Sequence, residues 1–222
     1  MKRCLRFCLR AALHIPWLAL LPPALGLLLG WEASAALGAL TRRTGMPEGY
    51  AALALALDAR RLVPIAGAAW AAAFLGAAFD GRVPSLLLSR GFGRRAVFAS
   101  LLLTWTLGLA VLSAVAQGAA ALPVLRRGAP PAVWLLRCFT LRLLLDLGMG
   151  AAPAALVCLF RENLYGRALA LAYGPVLWRV MGNHYGLWLP AAGPAGLAAL
   201  WPLAALPGGA LVCALALRRA EY

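Results

Sequence analysis

The sequence predicts an all-α, polytopic integral membrane protein with about six transmembrane helices and both termini in the cytoplasm. Of its 222 residues, 64% are hydrophobic and only 13% are charged. Soluble domains are typically about 45–50% apolar and about 25% charged. A water-soluble fold of this size could not bury so much apolar surface. We therefore expect residues 1–222 to form a single transmembrane domain.

The basic residues of the chain are arranged in the way that is typical of membrane proteins. A net charge of +14 also occurs in nucleic-acid-binding proteins, but here the basic residues bracket apolar runs, which is typical of membrane topology signals. We therefore expect no nucleic-acid partner. The clearest groups are Lys2, Arg3, Arg6 and Arg10, then Arg82, Arg90, Arg94 and Arg95, then Arg218 and Arg219.

Six apolar segments are candidates for spans, because a transmembrane helix needs about 20 mainly apolar residues. They cover residues 11–30, 62–79, 96–122, 132–160, 168–181 and 195–217. The first follows a basic start, as in a signal peptide, but no convincing cleavage site follows, so we expect it to be retained. Residues 31–61 are then an outer loop, residues 80–95 a cytoplasmic loop, and residues 182–194 an irregular or re-entrant outer connection. This topology places 12 basic residues inside and 7 outside, which agrees with the positive-inside rule.

Motifs of enzymes and of nucleotide sites are missing from the sequence. It contains no GxSxG, HExxH or GxxxxGK[ST] pattern, and its two histidines are isolated at His14 and His184. We therefore expect no enzymatic activity and no cofactor in this chain. Cys4 and Cys8 could share one helix face, but two thiols make a poor zinc site, so a reduced pair is expected. The remaining cysteines, Cys138, Cys158 and Cys213, lie in apolar runs and are expected to behave as small hydrophobes.

Charged residues inside the fourth predicted span point to an intramembrane ion pair. Arg142 and Asp146 are four residues apart, so they lie on one helix face and can pair. Charges at membrane depth are costly and often functional. The alternative is a pair that neutralises itself at a buried helix interface, or that reaches the membrane surface.

The cytoplasmic loop of residues 80–95 has the most distinctive sequence. An Asp-Gly start is followed by a short amphipathic piece, for which we predict a surface helix over residues 85–90, with Leu86, Leu87 and Leu88 against lipid or protein. Glycines in the sequence Arg-Gly-Phe-Gly-Arg-Arg permit a sharp reversal before the next span. The paired arginines then anchor that span at the headgroup level. The residues singled out are Asp80, Gly81, Ser89, Arg90, Gly91, Arg94 and Arg95.

This loop resembles the segment between the second and third spans in permeases of type-2 ATP-binding-cassette exporters. The same seven residues match that family's pattern, and the length, six predicted spans and cytoplasmic termini are also similar, most of all to small bacteriocin or lantibiotic-immunity and drug-export permeases. The resemblance implies a permease subunit in the bacterial cytoplasmic membrane. It also implies a separate cytoplasmic ATPase that binds ATP, a second permease subunit, identical or related, and an amphipathic, lipid-like or peptide cargo.

Two other classes of function stay open at this point. A secondary carrier or substrate-binding membrane component would place its binding groups at mid-membrane, where Arg142, Asp146 and Arg179 are the candidates. A non-transport assembly or sensory membrane protein would use the loop of residues 80–95 to recruit a different cytoplasmic partner.

Overall fold

Every element in the described part of the chain is an α-helix. The computed structural model describes residues 2–14, 16, 19–28, 30–31, 63–125, 132–160, 164–181 and 201–218. No strand occurs among these residues, which confirms the all-α prediction for them. The outer loop of residues 31–61 (Trp31 excepted), the connection of residues 182–194 and Arg161 lie outside the described residues.

Eight helices make up the described chain. In chain order they are α1 (Lys2–His14), α2 (Ala19–Leu28), α3 (Val63–Asp80), α4 (Val83–Ser89), α5 (Arg94–Leu125), α6 (Ala132–Leu159), α7 (Leu164–Met181) and α8 (Trp201–Arg218). Helices α3, α5, α6, α7 and α8 lie where the second to sixth spans were placed. Helix α1 begins at Lys2, so the basic start of the chain is itself helical.

Six transmembrane spans are not supported. Over the described residues, one helix is long and apolar enough to cross a bilayer, Arg94–Ala119 within α5. A second qualifies if Ile65–Asp80 and Val83–Ser89 are counted as one span bent by 47°. The apolar helices Ala19–Leu28 and Asp146–Leu159 have only 10–17 residues, fewer than the about 20 that a span needs. A multi-pass arrangement is therefore a proposal.

Beyond its first turn, helix α5 buries most of its polar side chains and exposes many of its large apolar side chains. Leu103, Leu107 and Val111 follow one another at intervals of four residues and are 40%, 44% and 46% exposed. In a helix that faces water, the polar residues would occupy the outer face. The polar residues buried on α5 are Ser100, Thr104, Ser113 and Gln117.

Three hydroxyl groups in the first half of α5 form hydrogen bonds within the helix. Thr104 Oγ1 donates a hydrogen bond to the Ser100 carbonyl at 2.8 Å, and Ser100 Oγ donates to the Ala96 carbonyl at 2.6 Å. Thr106 Oγ1 donates to the Leu102 carbonyl at 2.8 Å. Such bonds to the preceding turn let a hydroxyl lie in apolar surroundings at little cost.

Helices α3, α5 and α6 meet at a junction built from two tryptophans and two glycines. The Trp70 indole N–H of α3 donates to the Trp105 carbonyl of α5 at 2.9 Å. A Cβ atom at Gly108 would lie 2.3 Å from the Trp70 ring. On the other side, a Cβ atom at Gly150 of α6 would lie 2.3 Å from Leu109. The missing side chains thus allow large residues to pack directly on neighbouring backbone.

Gly26 of α2 and Gly30, two residues beyond the end of α2, pack on α5 as a Gly-x-x-x-Gly motif. A Cβ atom at Gly26 would lie 2.7 Å from the Leu112 carbonyl oxygen, and one at Gly30 would lie 2.3 Å from Ala119 Cβ. Small residues four apart let two helix backbones approach closely in apolar surroundings. The spacing was a usable signal for this contact.

The junction gives a matched pair of glycine substitutions on α5. Gly108→Ala should destabilise the protein by about 1–3 kcal/mol, because Trp70 is buried, stacked on Phe74 and hydrogen-bonded, and so cannot yield space. Gly118→Ala should be neutral or stabilising by up to about 1 kcal/mol, because nothing lies within 4 Å of its added methyl group. Unfolding of the purified protein by a denaturing detergent measures both. Equal stability of the two variants would contradict the packing described.

Candidate functional site

The loop between α3 and α5 begins with a tight turn at the end of α3. The Gly81 N–H donates to the Ala77 carbonyl at 2.9 Å, and the Arg82 N–H to the Phe79 carbonyl at 3.0 Å. Arg82 has φ 49°, a conformation uncommon for residues other than glycine. Pro84 lies in the first turn of α4, where its missing N–H costs nothing. The turn bends the path of the chain by 47°.

Helix α4 is fixed to the core by one face. The sequence predicted a surface helix over residues 85–90. Helix α4 starts two residues earlier than that prediction and ends one residue earlier. Leu87 is fully buried in the main apolar cluster, and Pro84 is also buried. Leu86 is 44% exposed, so the three consecutive leucines do not share one environment. A force on the exposed face of α4 would therefore reach the packed core through Leu87.

A glycine completes the reversal into α5. Gly91 has φ +80°, which side chains rarely allow, and its N–H donates to the Leu88 carbonyl at 2.9 Å. The Phe92 N–H then donates to the Leu87 carbonyl at 3.2 Å. Helix α5 starts two residues later, at Arg94.

The residues singled out in this loop all lie on the surface and form a cationic patch. Ser89 Oγ donates to the Leu86 carbonyl at 2.9 Å, which ties the end of α4. The Arg90 guanidinium lies 5.5 Å above the Phe7 ring, a cation–π distance that connects the loop to α1. We call the exposed residues of this loop the loop surface: Asp80, Gly81, Arg82, Leu86, Ser89, Arg90, Gly91, Gly93, Arg94 and Arg95.

An arginine of α7, outside the loop, binds the first residue of the loop. Arg167 of α7 forms an ion pair with Asp80, with 2.5 Å between Nη2 and Oδ1. The same Nη2 donates to the Gly76 carbonyl at 3.0 Å. A Cβ atom at Gly76 would lie 2.6 Å from Arg167 Nε, so the guanidinium covers the bare backbone of α3. We call Arg167, Asp80 and Gly76 the clamp. It was not predicted from the sequence, although Gly76, four residues before Asp80, was a signal for a close contact.

The clamp predicts a non-additive pair of substitutions. Gly76→Ala should destabilise the protein because it expels the Arg167 guanidinium, and Arg167→Ala should have a similar effect. In the Arg167→Ala background, Gly76→Ala should cost less stability or become favourable, because the three atoms nearest to the added methyl group all belong to Arg167. Asp80→Asn should lower the free energy of unfolding by less than about 1 kcal/mol, since that carboxylate is 64% exposed. A double-mutant cycle in detergent unfolding measures these effects, and additive losses would contradict the clamp.

A buried polar cluster joins α5 to α6. Ser113 Oγ donates to Asp146 Oδ2 at 2.5 Å, and Gln117 Nε2 donates to Ser113 Oγ at 3.0 Å. The three side chains are between 0% and 3% exposed. Gln117 Oε1 is buried without a hydrogen-bond partner among the described atoms. The Arg142 side chain lies outside the described residues, so its predicted pairing with Asp146 stays a prediction, as does any role of Arg179.

The contact of Asp146 with Ser113 was only partly predictable from the sequence. Ser113 and Gln117 are four residues apart in an apolar segment, so they share a helix face, but nothing local pairs that face with α6. This cluster is a hydrogen-bond chain in which each donor points towards the carboxylate. It can hold α5 and α6 in register, or it can bind a polar group.

Two cysteine pairs are buried in the helix packing. Cys4 and Cys8 lie on one face of α1, and Cys158 of α6 and Cys213 of α8 are buried in the same apolar cluster. Burial raises the pKa of Cys8 to about 12, and the neighbouring Cys4 thiol adds to the rise. Among the described residues, no three histidine, cysteine or acidic side chains form a metal-binding group.

The raised pKa predicts low reactivity of Cys8. At pH 8 its thiolate fraction should be about three orders of magnitude below that of a thiol with the ordinary value of 9.0. Alkylation by iodoacetamide, quantified by peptide mass spectrometry, should therefore be slow. Arg10→Cys introduces a thiol at an exposed position of the same helix and serves as the control. Comparable rates at positions 8 and 10 would contradict the burial of Cys8.

Comparisons with known proteins add no relative to this picture. No protein-family model, no curated protein and no solved structure matches the chain.

Proposed function

We propose that this chain is the membrane-spanning permease subunit of an ATP-driven ATP-binding-cassette exporter in the bacterial cytoplasmic membrane. The observation that carries the proposal is the construction of α4. One face of this short helix is buried in the core at Leu87, while the residues around it form the exposed cationic loop surface. A coupling segment between a cytoplasmic ATPase and membrane helices needs this combination of a rigid attachment and an accessible face.

Several spans, rather than one, are favoured by the outer surface of the helices. Large apolar side chains are exposed on many helices, whereas buried polar groups lie between α5 and α6. Extended exposed apolar surface is rare on monomers in water but is the normal state in lipid. The exposed apolar residues on helices other than α5 include Leu27, Leu28, Leu136, Leu144, Leu159, Leu169, Leu171, Leu211 and Leu215.

Helix α1 supports the cytoplasmic placement of the N-terminus. Its basic residues Lys2, Arg3, Arg6 and Arg10 are exposed, while Cys4 and Cys8 on the opposite side are buried. A basic amphipathic helix lies in the interface of a membrane with anionic lipids. The Arg90–Phe7 contact places the loop surface beside this helix.

The proposed mechanism is mechanical. Binding of the ATPase to the loop surface moves α4, which is continuous with α3 through the turn at Gly81 and with α5 through the turn at Gly91. The Asp80–Arg167 clamp carries the same movement to α7. ATP is bound and hydrolysed on the partner, and no residue of this chain performs covalent chemistry.

The cargo and the second subunit follow from the same proposal. Two permease subunits, identical or related, line the pathway. The helices present mainly Ala, Leu and Gly, and this composition suits an amphipathic, lipid-like or peptide cargo better than a highly charged one.

A secondary carrier is the second candidate function, and the buried polar cluster is the observation that favours it. Asp146 is 1% exposed and accepts a hydrogen bond from Ser113. A charged residue buried among apolar helices is a functional candidate. In a carrier, this cluster would bind the transported ion or solute, and the loop surface would have no ATPase partner.

Capture of the ATPase from native membranes tests the exporter. The full-length tagged chain, cross-linked in cells of its source organism and purified, should recover an ATP-binding-cassette ATPase, identified by mass spectrometry. Reversing the charge of Asp80, Arg94 and Arg95 together should reduce the recovery by at least about tenfold, because each of these side chains lies on the loop surface.

Two matched variants complete this experiment. Lys2→Glu changes an exposed charge elsewhere, and Asp146→Asn changes the buried cluster; both should leave the capture intact. Capture that is unchanged by the triple charge reversal would contradict the coupling role. Transport that is abolished by Asp146→Asn, with no ATPase recovered from the unaltered chain, would establish the carrier instead.

A further inference from the structure

The geometry points to a binding cleft for one acyl chain of an anionic phospholipid, at the junction of α1, α2, α3 and α5. This inference rests on the membrane location in the proposed function and does not depend on the ATPase partner.

The cleft is a laterally open cavity with an apolar lining. Its volume is about 200 Å³. An apolar cavity of about 150 Å³ accommodates a benzene molecule, so this one has room for a segment of several methylene groups. The main lining residues are Leu9, Leu13, Pro22, Trp70, Leu107 and Val111.

The polar atoms in the cleft wall are already engaged. The Trp70 indole N–H donates to the Trp105 carbonyl at 2.9 Å, and the Thr104 hydroxyl donates to the Ser100 carbonyl at 2.8 Å. A buried water needs two to four polar partners, which the described residues of this wall do not offer. The occupant that fits is therefore a hydrocarbon chain.

The position of the cleft indicates where that chain comes from. Leu107 and Val111 belong to the outward-facing stripe of α5, and Leu13 of α1 is 67% exposed. The opening thus continues into the surface that contacts lipid in the proposed arrangement. A bilayer phospholipid can insert one chain sideways without leaving its leaflet.

The charge on α1 selects the headgroup. Arg6 precedes Leu9 by three residues and Arg10 precedes Leu13 by three, so each arginine is a surface neighbour of a cleft residue. Both arginines are exposed. A guanidinium binds phosphate in a bidentate manner, and each cation near an anionic membrane surface strengthens binding about fivefold. An anionic phospholipid therefore fits both parts of the site: its acyl chain fits the cleft, and its headgroup binds Arg6 and Arg10.

Photo-cross-linking in vesicles tests this site. The purified full-length chain is reconstituted in vesicles of phosphatidylcholine and phosphatidylglycerol, with a diazirine on the acyl chain of one or the other, and the cross-links are mapped by mass spectrometry. Cross-links from the phosphatidylglycerol probe should concentrate on the cleft residues and exceed those from the phosphatidylcholine probe at least about fivefold. Arg6→Gln combined with Arg10→Gln should remove this preference.

Two variants that fill the cleft from two different helices show whether the cross-links depend on the cleft. Val111→Trp and Ala19→Phe should abolish the cleft cross-links, whereas Leu122→Trp, at an exposed position of α5 outside the cleft, should not. Cross-links spread evenly over the exposed helix faces, or persisting in both filled variants, would overturn the inference. A chain that does not float with the vesicles would overturn the membrane location as well. Loss of ATPase capture with cleft cross-links retained would overturn the exporter alone.

Discussion

Close approach between helix backbones is the constraint on which the rest of the structure depends. The Trp70 ring packs directly against Gly108, and its indole N–H donates to the adjacent Trp105 carbonyl, while Leu109 fills the space left by Gly150. These contacts fix α3, α5 and α6 relative to one another. Because lipid offers no hydrophobic drive for helices to associate, such van der Waals packing and interhelical hydrogen bonds have to supply the cohesion of a bundle in a bilayer.

The loop between α3 and α5 is held rigid by its packing against this junction. Leu87 belongs to the same apolar cluster as Trp70 and Trp105, so α4 cannot move without disturbing the helices on either side. Arg167 adds a second attachment, from α7, at the point where α3 ends. The result is a cationic surface on a stiff support, which suits the transmission of movement better than a flexible loop would.

Sequence reasoning located the helices better than it located their contacts. Hydropathy placed α3, α5, α6 and α7 within a few residues of their observed positions, and the Gly91 pattern marked the reversal, because both are local properties of the chain. Two contacts between helices were not predicted, namely Arg167 with Asp80 and Ser113 with Asp146. Arg167 is 87 residues from Asp80 and Ser113 is 33 residues from Asp146, and such pairings depend on how each helix is rotated. The pairing predicted for Asp146 with Arg142, four residues earlier, stays a prediction.

Sidedness of the loop surface tests the account most directly. In a background lacking the five natural cysteines, Ser89→Cys and Met46→Cys introduce single thiols in the loop surface and in the predicted outer loop. A membrane-impermeant maleimide should label position 46 in intact cells and position 89 only after the cells are permeabilised. Labelling of position 89 in intact cells would place the loop surface outside the cytoplasm and contradict its coupling to an ATPase.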